Sequence, residues 1–247
     1  MKAMFQAVSF LTRIPVPNLN YSAEDWQRSV RYYPLVGALI GLLLWVVHMA
    51  AITTFSPQVS AVITLLFWVY LTGGLHLDGW MDLADGLGSN RSREQMLAIM
   101  KDSRVGAMGV IAAISLFLLK GVALFDILAQ PGTAMLIAVP LAARTLVMVM
   151  MRAFPYLARD GIALGMRETL NVWSLIFGCV FMLLIGWCLG AWQMLLAIGI
   201  AALFAVVFAV RVIRKLGGLT GDVYGALIES TEAFCLLGLL AVGRWLP

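Results

Sequence analysis

The sequence predicts an all-α protein, a polytopic membrane helical bundle of about seven transmembrane helices. Three observations carry that prediction. Of the 247 residues, 62% are hydrophobic and 12% charged, against about 25% charged in soluble domains. Stretches of 17 or more residues without Asp, Glu, Lys or Arg recur along the chain, each near the length that crosses a hydrocarbon core about 30 Å thick. The basic residues collect in alternate connectors, as they do where positive loops stay inside.

Residues 1–31 form a cytoplasmic or interfacial N-terminal segment. Within it Met4, Phe5, Val8 and Leu11 suit one side of a short helix lying at the headgroups, and Pro15 and Pro17 end it. Gln6 and Ser9 interrupt the apolar run, so no cleavable signal is expected there. Uncharged runs at 35–53 and 59–75 predict the first two spans. The inner segment 76–104 follows, and in it Ser92, Glu94 and Gln95 read as a helix start. Segments 105–125 and 133–151 predict the next two spans, each with one cation, Lys120 and Arg144. Runs at 172–190 and 192–210 predict the fifth and sixth. The uncharged run 233–243 is too short to cross alone, so the last helix begins near Asp222 and carries Glu229 and Glu232 at its inner end. No boundary divides the chain, and 1–247 reads as a single integral membrane domain.

The charges set an orientation. Lys2, Arg13, Arg28 and Arg31 precede the first span, and Arg91, Arg93, Lys101 and Arg104 follow the second. Arg152, Arg159 and Arg167 follow the fourth, and Arg211, Arg214 and Lys215 the sixth. The connectors near 54–58, 129–132 and 191 contain none, which places the N-terminus inside and Arg244 outside. A net charge of +4 is thereby a sign of topology, and nucleic-acid binding is a poor reading of it. Cys179, Cys188 and Cys235 lie in spans without metal-ligand spacing and read as small packing residues.

Chemistry concentrates in TGGLHLDGWMDLADGLG at 72–88. Asp78, Asp82 and Asp85 are spaced i, i+4, i+7, so a helix gathers them within an arc of roughly 60°. Adjacent carboxylates on an apolar face repel one another unless a cation or protons neutralise them, and a hard divalent metal such as Mg²⁺ is the fitting occupant. Gly79 and Gly86 beside the stripe would let another helix approach. In GGLTGDVYGALIESTEA at 217–233, Asp222 and Glu229 make a second stripe, with Gly225 between them and Glu232 further round. Together the two stripes could bridge a diphosphate through metal. The alternative for Asp222 is a helix cap, and lone boundary carboxylates are often solvated.

His76 would face away from the aspartates on a continuous helix, but Gly73 and Gly74 can break it and turn His76 inward, as a base, a substrate contact or a plain interfacial histidine. His48 reads as packing. Arg144, mid-span, needs an anion, either a substrate phosphate or an aspartate. Lys120 could snorkel toward the outer leaflet. Lys101, Asp102 and Arg104 stand where the chain re-enters the membrane, with Arg104 a candidate phosphate clamp or an ordinary positive-inside residue.

Taken in order, FLTRIPVP at 10–17, YPLVGALIG at 33–41, TGGLHLDGWMDLADGL at 72–87, KDSRVGAMG at 101–109 and GGLTGDVYGALIE at 217–229 resemble the cobalamin synthase family. The resemblance implies a Mg²⁺-dependent enzyme of the bacterial inner membrane, with N-terminus and active site cytoplasmic. Such an enzyme joins adenosylcobinamide-GDP to α-ribazole or its 5′-phosphate, giving adenosylcobalamin or its 5′-phosphate and GMP. It implies metal ligands at Asp78, Asp82 and Asp85 with His76 ahead of them. Asp222 and Glu229 would complete the ligand set, and Asp82 or His76 would receive a proton. Lys101, Asp102, Arg104, Arg144 and Lys120 are then candidate substrate contacts. Membrane lipid is the expected surrounding, and a homo-oligomer or association with other cobalamin-assembly enzymes is left open. Two other readings compete with it. A CDP-alcohol phosphotransferase also carries DG on an aspartate-rich helix, but Leu87, Gly88, Ser89 and Asn90 depart from its pattern. A divalent-cation transporter would need acidic residues through the outer half of the membrane, where this chain has no such series.

Overall fold

The computed structural model describes residues 1–157, 161 and 163–245; Arg159, counted above among the inner cations, lies outside them. Among the described residues there is no strand, and Tyr156 and Leu219 form one isolated bridge. Helix α1 (Lys2–Leu11) buries Ala3, Ala7 and Leu11, an i, i+4, i+8 stripe that packs on the protein. Met4, Phe5 and Val8 are only half-buried. The small alanines allow the close approach that a helix resting at headgroups would not need. Phe10 meets Trp26 of α2 (Ala23–Ser29) edge-on at 4.9 Å, and a reciprocal capping box between Ser22 and Asp25 starts α2.

Helix α3 (Tyr33–Ala51) has proline in its first turn, where a missing N–H costs nothing. Helix α4 (Pro57–Thr72) is capped by Ser56 and ends at Gly73; α5 (Leu75–Gly88) then departs at 89°. Ser92 and Gln95 close a capping box on α6 (Arg93–Met100), at the start the spacing predicts. There follow α7 (Ala107–Leu128), a 3₁₀ turn at Thr133–Ile137, α8 (Ala138–Ala153), α9 (Met166–Thr169), α10 (Val172–Leu216) and α11 (Gly221–Trp245).

By length and composition, 5 helical segments can cross a membrane, and a sixth if α4 and α5 form one broken crossing. The 45 residues of α10 contain another. Its backbone leaves helical geometry at Gly190 and Ala191. A Cβ on Gly186 would lie 3.0 Å from Ile198 Cδ1, whereas a straight helix holds such residues about 18 Å apart. Helix α10 is therefore a hairpin, with limbs 172–189 and 192–216, as the two separate apolar runs predict. The chain is a multi-pass membrane protein of about seven crossings.

Two helices make the centre. In the most apolar windows of the α8 and α11 segments 78% and 72% of residues are buried, against 33–44% in the other candidate spans. Lipid offers no hydrophobic drive between helices, so association relies on small residues that fit closely. Ala142 and Ala143 of α8, and Ala226 and Ala233 of α11, fill that role, all fully buried. Helix α11 touches α5, α7, α8 and α10, while Leu66, Leu118 and Leu203 stay exposed on the outside of the bundle, where lipid would lie.

Candidate active site

The bend after α4 positions the site. Gly73 and Gly74 take φ of +67° and +71°, the left-handed region that costs other residues roughly 1–2 kcal/mol each. Arg13 ties the N-terminal segment to this corner, its N–H donating to the Leu71 carbonyl at 2.7 Å and its guanidinium lying 5.9 Å from the Tyr70 ring centre. Because the helix restarts at Leu75, His76 turns inward. It is buried, and it lines a cavity of about 190 Å³ shared with Asp78, Asp222, Tyr33 and Tyr224. Tyr224 stacks on Tyr156 at 5.9 Å.

Helices α5 and α11 press together backbone to backbone. A Cβ on Gly79 would sit 2.6 Å from the Asp222 carbonyl oxygen, and one on Gly225 would sit 3.1 Å from that of His76. This approach brings Asp222 of the second stripe toward Asp78 and Asp82 of the first. Asp82 feels the charges of Asp78, Asp222 and Asp85, and Asp222 feels that of Asp78. Asp78, Asp82 and Asp222 have no ion-pair partner among the described residues; the Thr220 hydroxyl donates weakly to Asp222 at 3.4 Å. Among the described residues no three His, Cys, Asp or Glu side chains converge closely enough to enclose a metal ion. The carboxylates offer hard oxygen donors on one face without closing a coordination shell.

Asp85 is placed differently from its neighbours on the stripe. Its two oxygens accept from the N–H groups of Gly106 and Gly109, at 2.7 and 2.8 Å. It caps α7 from another helix and offsets the positive end of that helix dipole. Glu229 also has a partner, Lys120, at 2.5 Å. Lys120 does not snorkel. It is buried, donates to Glu232 at 2.6 Å, and stands 4.8 Å from the centre of the Trp68 ring. Glu232 is fully buried and also pairs with Arg144. Arg144 in turn places Nη2 3.4 Å from His76 Nδ1.

A charge-balanced network, Lys120 and Arg144 against Glu229 and Glu232, thus lies under the cavity. Arg144 finds a glutamate where an aspartate or phosphate was expected. Local spacing sets Glu232 aside, whereas the fold makes it the partner of both cations; the signal in the sequence is that two intramembrane cations are matched by two glutamates. At the rim, Arg104 grips Asp102 with Nε and Nη2, at 3.0 and 2.6 Å. That fork and the Arg104 N–H hold the exposed Asp102 carboxyl down at about 2. Lys101 is exposed beside them. A larger cavity of about 660 Å³ lies at the other end of the bundle, beside Asp126, Gln130 and Arg244, far from the paired stripes.

Residues 3–240 match the family model described as cobalamin-5-phosphate synthase. The chain belongs to this family. Cobalamin-5-phosphate synthase membership makes it an enzyme, a transferase of cobalamin biosynthesis. A protein of Brevibacillus brevis named adenosylcobinamide-GDP ribazoletransferase is 56% identical over 99% of both chains. Relatives of that name from Desulfitobacterium hafniense and Pseudomonas putida are each 39% identical, covering 96% and 94% of this chain and 96% of their own lengths. No solved structure matches the chain. Within the synthase fold, then, Asp78, Asp82 and Asp222 are carboxylates on two adjoining helices with no ion-pair partner among the described residues.

Proposed function

We propose that the chain is a Mg²⁺-dependent adenosylcobinamide-GDP ribazoletransferase, joining adenosylcobinamide-GDP to α-ribazole or its 5′-phosphate and releasing GMP. The observation that carries this reading is the set of three carboxylates, without basic partners among the described residues, on two helices pressed together beside a cavity. Carboxylate oxygens suit Mg²⁺, an ion that keeps several waters and takes substrate phosphate oxygens as further ligands. Asp78 and Asp222, which line the cavity together, would hold it with substrate oxygens. Bound there, Mg²⁺ would offset the charge that builds on the diphosphate oxygens as GMP departs.

The chain's own groups do the rest. A ribazole hydroxyl oxygen bonds to the phosphorus that carries cobinamide, the bond from that phosphorus to the bridging oxygen breaks, and its electron pair leaves with GMP. Asp82 takes the hydroxyl proton. Lys101 and Arg104 contact phosphate at the rim, Arg104 after exchanging Asp102 for the substrate. The Asp85 carboxylate keeps α7 docked against α5. The asymmetry of Lys and Arg supports a cytoplasmic site in the inner membrane.

Purified protein in liposomes, given both substrates and Mg²⁺, should release GMP; EDTA should stop release and Mg²⁺ restore it. Absence of GMP with active substrates would overturn the reading, and CMP release from CDP-diacylglycerol and an alcohol would point to the rival phosphotransferase.

A further inference from the structure

We propose that Arg144 locks His76 in the tautomer that carries its proton on Nε2, making His76 a hydrogen-bond donor to the substrate phosphate and removing it as a candidate base. The argument starts from what guanidinium can do. Arginine has five donors and no acceptor, so a contact between Arg144 Nη2 and His76 Nδ1 at 3.4 Å is a hydrogen bond only if Nδ1 accepts. A neutral imidazole accepting at Nδ1 has its proton on Nε2. An imidazolium would set N–H against N–H, and would add a third cation to a network already balanced by two glutamates.

The other nitrogen is free to act. Among the described residues the His76 side chain has one hydrogen-bond contact, the one from Nδ1 to Arg144, so Nε2 has none. His76 lines the cavity with Asp78 and Asp222, and with Nδ1 engaged by Arg144, Nε2 is the ring nitrogen left to meet a ligand there. A donor among carboxylates is useful to an anionic oxygen, and the phosphates of the proposed substrate supply one; this step rests on the function proposed above. The lock is itself held from behind. Glu232 accepts from Arg144 and from Lys120, and Glu229 and the Trp68 ring fix Lys120. Four helices, α5, α7, α8 and α11, thereby converge on one ring nitrogen, with Arg144, Glu232 and Lys120 as positioning residues.

The tautomer can be read without turnover. The chain has two histidines, so ¹⁵N-histidine labelling in nanodiscs, with His48→Gln for assignment, should report His76 neutral and protonated at Nε2. A proton at Nδ1, or on both nitrogens, overturns the proposal whether or not GMP is released. In Arg144→Met/Glu232→Gln, which keeps the network neutral, the two tautomers should mix. Persistence of pure Nε2–H in that folded variant would show that Arg144 is not the lock.

The donor role is tested by amide mimics. Glutamine places an N–H near the Nε2 position, while asparagine reaches only the Nδ1 position. His76→Gln should keep kcat within about tenfold of wild type, and His76→Asn should lose about 100- to 1,000-fold with KM little changed, the usual effect of removing one donor to a developing charge. A base would be lost equally in both, and a merely structural histidine would be better replaced by asparagine, which preserves the Arg144 bond. Either pattern sinks the donor role. Failure of the wild type to release GMP would instead remove the proposed function and the donor role with it, leaving the tautomer to the spectrum.

Discussion

Asp85 and its neighbours on one helix face should respond differently to the loss of charge. Both oxygens of Asp85 hold backbone N–H groups of α7, so Asp85→Ala should cost about 1–2 kcal/mol of stability, the upper range for a lost cap. Asp78 and Asp82 have no such partners among the described residues, and removing a like charge relieves repulsion. Asp78→Asn and Asp82→Asn should therefore melt at or above the wild-type temperature while slowing GMP release by about 100-fold or more. A thermal melt in detergent beside the GMP assay separates the two kinds of carboxylate. Glu232→Gln should unfold more readily than Glu229→Gln, because a fully buried carboxylate serving two cations is lost, at roughly 3–5 kcal/mol. Local spacing points the other way. The common face of the three aspartates is legible because i, i+4, i+7 is a property of one helix; the weight on Glu232 is not, since its partners come from α7 and α8.

At the scale of elements, the contact between α5 and α11 sets the width of the acidic face. Gly79→Ala would drive a methyl group into the backbone of Asp222, which no rotamer change can relieve, so the helices must part. The expected cost is about 1–3 kcal/mol, accompanied by loss of activity. Gly199→Ala is the control. Nothing lies within 4 Å of a Cβ there, and an alanine in a helix interior should be neutral or gain up to about 1 kcal/mol, with activity kept. The glycines beside the acidic residues show in the sequence that some helix comes close. Which helix comes close depends on the 89° corner at Gly73–Gly74, a tertiary angle that two consecutive glycines permit without specifying.

For the whole molecule, alternation of charge is the readable quantity. In a cysteine-free background, a cysteine at Ser89 should resist a membrane-impermeant thiol reagent in intact cells, and one at Gln130 should react; the reverse labelling would put the acidic site on the wrong side. Cys235 is fully buried and needs the smallest apolar replacement, whereas Cys188 is exposed. The number of crossings was legible from apolar runs, because the bilayer fixes their length. The order of packing, with α8 and α11 at the centre, was not, since nearly every span is apolar all round. The turn at Gly190–Ala191 has a consequence for how the protein is made. Two residues leave no loop to thread across the bilayer, so the limbs of α10 cannot be delivered one after the other, and residues 172–189 must wait for 192–216 and enter as a pair. Ribosome-arrested chains should show this directly: carbonate-resistant integration of the first limb should begin only when the second has emerged from the exit tunnel.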